Sequence, residues 1–216
     1  MTIMTFVRHG ATEWNIDGRF ISRTDLPLSS EGISSLDHAR TLISHSKPAR
    51  VVTSPALRCL QTTEKILEST GLNDFEVWED LVEIGFGDFE GQTVNELTFG
   101  SFSAEFSKWL DPSEPSMGAP GGETWEQVNT RCLRVLKRLE NLQTDTLVVG
   151  HDYFNLAVLV RALFGLLPRH LRTLESSNGS LSAISNHRGY WRLEYHNSLS
   201  PHLSQWGELQ GDSLDS

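Results

Sequence analysis

Ile3-Met4-Thr5-Phe6-Val7 is a short apolar, β-rich run that stops abruptly on Arg8-His9-Gly10. A buried strand feeding a functional loop has this form, hydrophobic to its end and then charge and glycine. The same pattern recurs twice. Arg50-Val51-Val52-Thr53 gives way to Ser54-Pro55, and Thr146-Leu147-Val148-Val149 gives way to Gly150-His151. Helical spacing comes after each, in Leu57, Leu60, Thr63, Ile66 and Leu67 after the second run and over Asn155 to Leu166 after the third. Strands alternating with helices predict an α/β protein with a mainly parallel sheet covered on both faces. Ligands gather beyond the carboxyl ends of such strands. Arg8-His9-Gly10, Ser54-Pro55 leading to Arg58, and Gly150-His151 are therefore expected to converge.

Glu31 to Ser44 carries Ile33, Leu36, Ala39, Leu42 and Ile43 near helical spacing, with Ser29 or Ser30 as the cap. Phe75 to Trp78 is a third strand candidate, and Leu81 to Gly91 reads as loop. A short helix is expected at Ser103 to Leu110 inside an insertion of about residues 92–122. Thr124 caps a long helix bearing Val128, Cys132, Val135, Leu136 and Leu139 on one side. Leu181 to Ser185 and Tyr190 to Tyr195 flank Asn186-His187-Arg188-Gly189, the pattern of an antiparallel hairpin at a sheet edge. Residues 1–196 are expected to form one domain, and 197–216 a polar tail.

A chain of 216 residues suffices for one sizeable core. Its net charge of −10 argues against nucleic acid and anionic membrane as partners, so an anionic substrate needs a locally positive pocket. Cys59 and Cys132 are too few for a disulfide framework and lack metal-ligand spacing. They read as reduced thiols in a cytoplasmic protein, Cys59 as packing. No stretch approaches the ~20 apolar residues that span a bilayer.

Two arginines, two histidines and a carboxylate at predicted strand ends do not make a core, because unpaired buried charges are costly. A phosphate would satisfy them. Phosphoryl transfer needs positive groups around the nonbridging oxygens, a nucleophile opposite the leaving oxygen and an acid to protonate it. Arg8 and Arg58 supply planar charged donors, and His9 can attack if its nitrogen is unprotonated. Asn15 and His151 can complete the pocket. Trp14, Trp109 and Trp125 are candidates to help line it, against the commoner role of aromatic residues in packing.

At these residues the chain resembles the histidine phosphatase superfamily, in its phosphoglycerate mutase-like branch. The R-H-G-x-T-x-x-N signature stands as Arg8-His9-Gly10-Ala11-Thr12-Glu13-Trp14-Asn15. Further matching segments are Gly18-Arg19-Phe20, Asp25 to Ser29, Ser54 to Thr62, Leu81 to Gly91, Pro120 to Thr124 and Val148 to His151. The resemblance implies a three-layer α/β/α fold with no metal and no organic cofactor. It implies His9 as phosphorylated nucleophile, with Arg8, Arg58 and His151 holding the phosphate and Asn15 assisting. Glu83 would be the proton donor.

Two departures qualify it. Ser22 and Arg23 stand where the family often has Gly and Trp, and Arg23 either extends the pocket toward a second anionic group or is a solvated loop charge. Asp152 stands directly after His151, where the family usually has a small residue. In the acid-phosphatase branch an aspartate there donates the proton, so Asp152 rivals Glu83 unless it caps the next helix or contacts substrate.

The leading expectation is hydrolysis of a small phosphomonoester, a sugar phosphate or a phosphorylated biosynthetic intermediate, with inorganic phosphate as product. The alternatives are a phosphomutase of the same family and a noncatalytic phospholigand-binding protein. Residues 92–119 contain only one basic residue, Lys108, which disfavours a carboxylate-binding mutase lid. A homodimer is left open.

Overall fold

The computed structural model describes residues 1–111, 114–165, 171 and 174–199. Six strands form one sheet: β1 (Thr2–Arg8), β2 (Arg50–Thr53), β3 (Glu76–Val77), β4 (Thr146–Gly150), β5 (Leu181–His187) and β6 (Tyr190–Ser198). Their order is β3-β2-β4-β1-β5-β6. The first four are mutually parallel, and β5 and β6 add the antiparallel edge. Arg188 and Gly189, both at positive φ (53° and 88°), turn that hairpin, as a two-residue loop matching the strand twist requires.

The period-two alternation of the strands divides the core. Met4, Phe6, Val52, Val148 and Ile184 point to one face, where they meet α7 (Trp125–Leu142) and α8 (Asp152–Phe164). Val7, Val51, Leu147, Val149 and Leu181 point to the other, against α3 (Asp37–Ser46) and α4 (Leu57–Leu67). Helices on both faces make the three layers, and each fully buried large side chain contributes about 1.5–3 kcal/mol. Among the described residues no helix is long and apolar enough to cross a membrane.

The helix expected over residues 31–44 is two helices, α2 (Ser30–Ser34), capped by the Ser29 hydroxyl at Gly32 N, and α3. A close approach fixes α2 in place. A Cβ on Gly10 would lie 2.5 Å from Gly32 O, and one on Gly32 would lie 2.0 Å from Ala11 O, so only paired glycines let the Arg8-His9-Gly10 loop touch this helix. The Leu81 to Gly91 segment contains one end of a 3₁₀ turn at Glu79–Leu81 and the whole of another at Gly87–Phe89. Within residues 92–122, α6 lies at Ser103–Leu110 as expected, and it is preceded by α5 (Val94–Phe99).

Helix α8 begins at Asp152, three residues before the expected start, and its expected end at Leu166 lies outside the described residues. Asn197 and Ser198, expected to open the tail, instead extend β6. Residues 200–216 of the expected tail lie outside the described residues.

Candidate active site

Parallel register brings three loops together. Arg8 pairs with Gly150 and Thr53 with Val149, while His9 N donates to Gly150 O at 3.0 Å and Ser54 N to Val149 O at 3.0 Å. The loop entering β5 joins the same end, where Arg8 N donates to Ser180 O. A cleft of ≈ 180 Å³ opens there, lined by Arg8, His9, Asn15, Arg19, Glu83, Asp152 and Tyr153 among others. One water needs about 10–15 Å³ on this measure, so the cleft admits a small molecule.

His9 forms part of the floor and is 2% exposed. Its Nδ1 lies 2.7 Å from Gly10 O, and a carbonyl only accepts, so Nδ1 carries the proton and Nε2 the lone pair. Burial, then the charges of Arg58 and Arg8, hold its pKa well below the usual imidazole value. The ring is therefore neutral at physiological pH and able to attack.

Arg58 and His151 are fully buried and do not line the cleft, although the His151 ring meets His9 edge-on at 5.3 Å. Arg58 donates to Ser22 O at 3.0 Å, Thr24 O at 3.1 Å and His151 Nδ1 at 3.2 Å. His151 Nδ1 is thus an acceptor, which leaves Nε2–H to donate to Ser54 Oγ at 2.8 Å. Arg8 pairs with Asp152 Oδ2 at 2.9 Å and also donates to Ser176 O. The Nε–H groups of both Arg8 and Arg58 are buried without a hydrogen-bond partner. Such orphaned cationic donors are costly unless an anion meets them.

Glu83 is 4% exposed and sits at the start of α8. Its Oε1 accepts from Ile84 N at 2.8 Å and Phe154 N at 2.9 Å, and its Oε2 from Tyr153 N at 3.2 Å. These donors favour the carboxylate, but burial and the neighbouring charge of Asp152 outweigh them and push the pKa up to about 7. A carboxyl so placed is protonated in a useful fraction at neutral pH, as a general acid must be.

Asp152 does not cap α8 through its side chain. His151 occupies the cap position without a side-chain hydrogen bond, and the Glu83 carboxylate serves the helix N–H groups from across the chain. Asn15 accepts from Thr12 N and Thr12 Oγ1, both at 3.0 Å, which closes the capping box of α1 (Glu13–Ile16) at the cleft wall. Ser22 contributes its main chain, and its buried hydroxyl has no partner. Arg23 is exposed and does not line the cleft. Trp109 and Trp125 are core residues stacked on each other rather than cleft aromatics.

Several contributors escape a reading of the sequence. Glu90 accepts from Ser22 N and Thr24 N, shaping the loop whose carbonyls hold Arg58. Asn178 donates to His9 O at 3.0 Å. Arg19, which lines the cleft, donates to Gly91 O at 2.7 Å and to Glu96 at 3.2 Å. The Gly18-Arg19-Phe20 segment is the available signal for Arg19 and the Leu81 to Gly91 segment for Glu90; nothing local marks Asn178.

A family model of the histidine phosphatase superfamily (branch 1) matches residues 4–199, and the chain belongs to that family. It is 28% identical to sedoheptulose 1,7-bisphosphatase of Saccharomyces cerevisiae over 89% of this chain and 79% of that protein. It is 31% identical to 2,3-bisphosphoglycerate-dependent phosphoglycerate mutase 2 of Gloeobacter violaceus over 81% of each chain. The solved structure of phosphoserine phosphatase from Entamoeba histolytica, in complex with 3-phosphoglyceric acid, has a TM-score of 0.80 at 25% identity, covering 94% of this chain and 100% of that one.

Proposed function

We propose that this enzyme hydrolyses a small phosphomonoester in two steps through a phosphohistidine at His9. The observation that carries this reading is a neutral His9 beside two arginines with unfilled donors and a carboxyl of raised pKa. The His9 Nε2 lone pair forms the N–P bond as the ester P–O bond breaks, and Glu83 gives its proton to the departing oxygen. Glu83, now a carboxylate, then takes a proton from water as that water attacks phosphorus. The N–P bond breaks, and inorganic phosphate leaves. Arg8 acts on the phosphoryl oxygens from the cleft wall and Arg58 from beneath, and His151 joins them when its Nε2–H turns from Ser54 Oγ to the phosphoryl group.

The leaving group is read as a sugar or a comparable small biosynthetic alcohol, and the two free, buried cysteines support a reducing, cytoplasmic setting. A mutase reading is favoured by the Gloeobacter relative. Against it, Val94 is the sole cleft-lining residue from 92–122 among those described, and it carries no charge. Phosphate release should therefore exceed interconversion of the two monophosphoglycerates by at least about tenfold in rate. The check is phosphate release across a phosphomonoester panel, alongside a coupled mutase assay. Mutase turnover faster than hydrolysis would reverse the choice.

A further inference from the structure

A buried ion pair lies behind Glu83, outside the cleft. Arg131, on α7 and 6% exposed, forks onto Glu123, with Nε to Oε1 at 3.0 Å and Nη2 to Oε2 at 2.6 Å. Its other donors go to main-chain carbonyls of Glu83 and the residues just before it: Nη1 to Asp80 O at 3.0 Å and to Val82 O at 2.5 Å, and Nη2 to Glu83 O at 3.5 Å. Glu123 completes the enclosure. Its Oε2 accepts from Gly85 N at 2.8 Å, and its own N–H donates to Gly85 O at 2.8 Å.

The guanidinium also faces α8, lying 3.8 Å over the ring of Phe154, whose N–H donates to the Glu83 carboxylate. One ion pair thus fixes both the segment that carries Glu83 and the helix end that orients its oxygens. A buried pair is weak evidence for stability, since desolvation offsets most of the Coulomb gain. Here the donors of the fork that Glu123 leaves over go to main-chain carbonyls of the short segment that ends on Glu83.

We propose that Arg131 and Glu123 are positioning residues that hold the Glu83 carboxyl in line with the leaving-group oxygen. The inference rests on the reading of Glu83 as proton donor. A misplacement on the order of 1 Å costs about 10²-fold where geometry governs the step. Proton donation matters for a poor leaving group and little for one that departs as a stable anion. Loosening the pair should therefore act selectively.

The test compares Glu123→Gln and Arg131→Lys with wild type and Glu83→Gln, on glycerol 2-phosphate and on p-nitrophenyl phosphate. Gln keeps the shape without the charge, and Lys keeps the charge without the fork. In either positioning variant, kcat/KM on the alkyl ester should fall about tenfold or more, while the aryl ester stays within about threefold. The double variant Glu83→Gln/Glu123→Gln should lose no more on the alkyl ester than Glu83→Gln alone. Equal loss on both esters, or additive loss in the double variant, overturns the positioning role while Glu83→Gln remains selective. If Glu83→Gln itself shows no selectivity, the donor reading has failed and this inference fails with it. Should one single variant not fold, the other decides by the same criterion.

Discussion

His9→Ala should lower kcat by about 10⁴-fold or more on every phosphomonoester the enzyme accepts, because loss of a covalent nucleophile removes the pathway itself. Among the described residues, neither Cys59 nor Ser54 is placed to substitute. The Cys59 thiol is buried, and burial pushes its pKa up to about 12, so it carries no thiolate at neutral pH. The Ser54 hydroxyl is engaged with His151 Nε2. Steady-state rates, with circular dichroism to show that the fold persists, provide the check. Residual turnover above about one percent of wild type would mean that water attacks phosphorus directly.

Glu83→Gln should reduce kcat/KM for an alkyl phosphate by ~10²–10⁴-fold and leave an activated aryl phosphate much less affected. The pH profile carries the same information. Glu83 must hold its proton to act, and its pKa stands near 7, so wild-type activity on the alkyl ester should fall as pH rises through about 7. The acid limb should lie well below the ordinary imidazole pKa, because His9 stays neutral there. Removing the carboxyl should flatten the alkaline limb. Asp152→Asn should be modest and unselective, since that carboxylate serves as the partner of Arg8. A selective loss in Asp152→Asn that spares Glu83→Gln would move the acid role to Asp152.

Fold and site are legible in the sequence to different degrees, for physical reasons. β1, β2 and β4 announce themselves because a strand buried on both faces is apolar to its end, and the polar residues beyond it must be loop. Helix α7 is equally plain, with Thr124 and Gln127 closing a capping box before an amphipathic stripe. The start of α8 escapes the sequence because its N–H groups are served by Glu83, about seventy positions earlier, and the local candidate, Asp152, does not cap it. The break between α2 and α3 escapes it because Leu36 and Ile43 keep the apolar spacing through it.

The same divide runs through the site. Arg8, His9 and Asn15 lie within one strand-loop-helix stretch of residues 8–15, so a short motif displays them together. Glu90 and Glu123 lie in matching segments that do not show what they contact, and Asn178 and Arg131 lie in none; all four reach main-chain groups far away in sequence, and a main-chain partner leaves no trace in residue identity. Arg23 stands out as a charge at an unusual place, but charge alone does not say which way a loop side chain faces.

The covalent step itself is most directly tested by rapid quenching of enzyme mixed with a ³²P-labelled phosphomonoester, and then peptide mapping. The mechanism predicts an acid-labile, base-stable phosphoryl group on the peptide carrying His9, formed and lost at rates at least as fast as turnover. Label on any other residue, or full turnover with no label on His9 at any quench time, would contradict it.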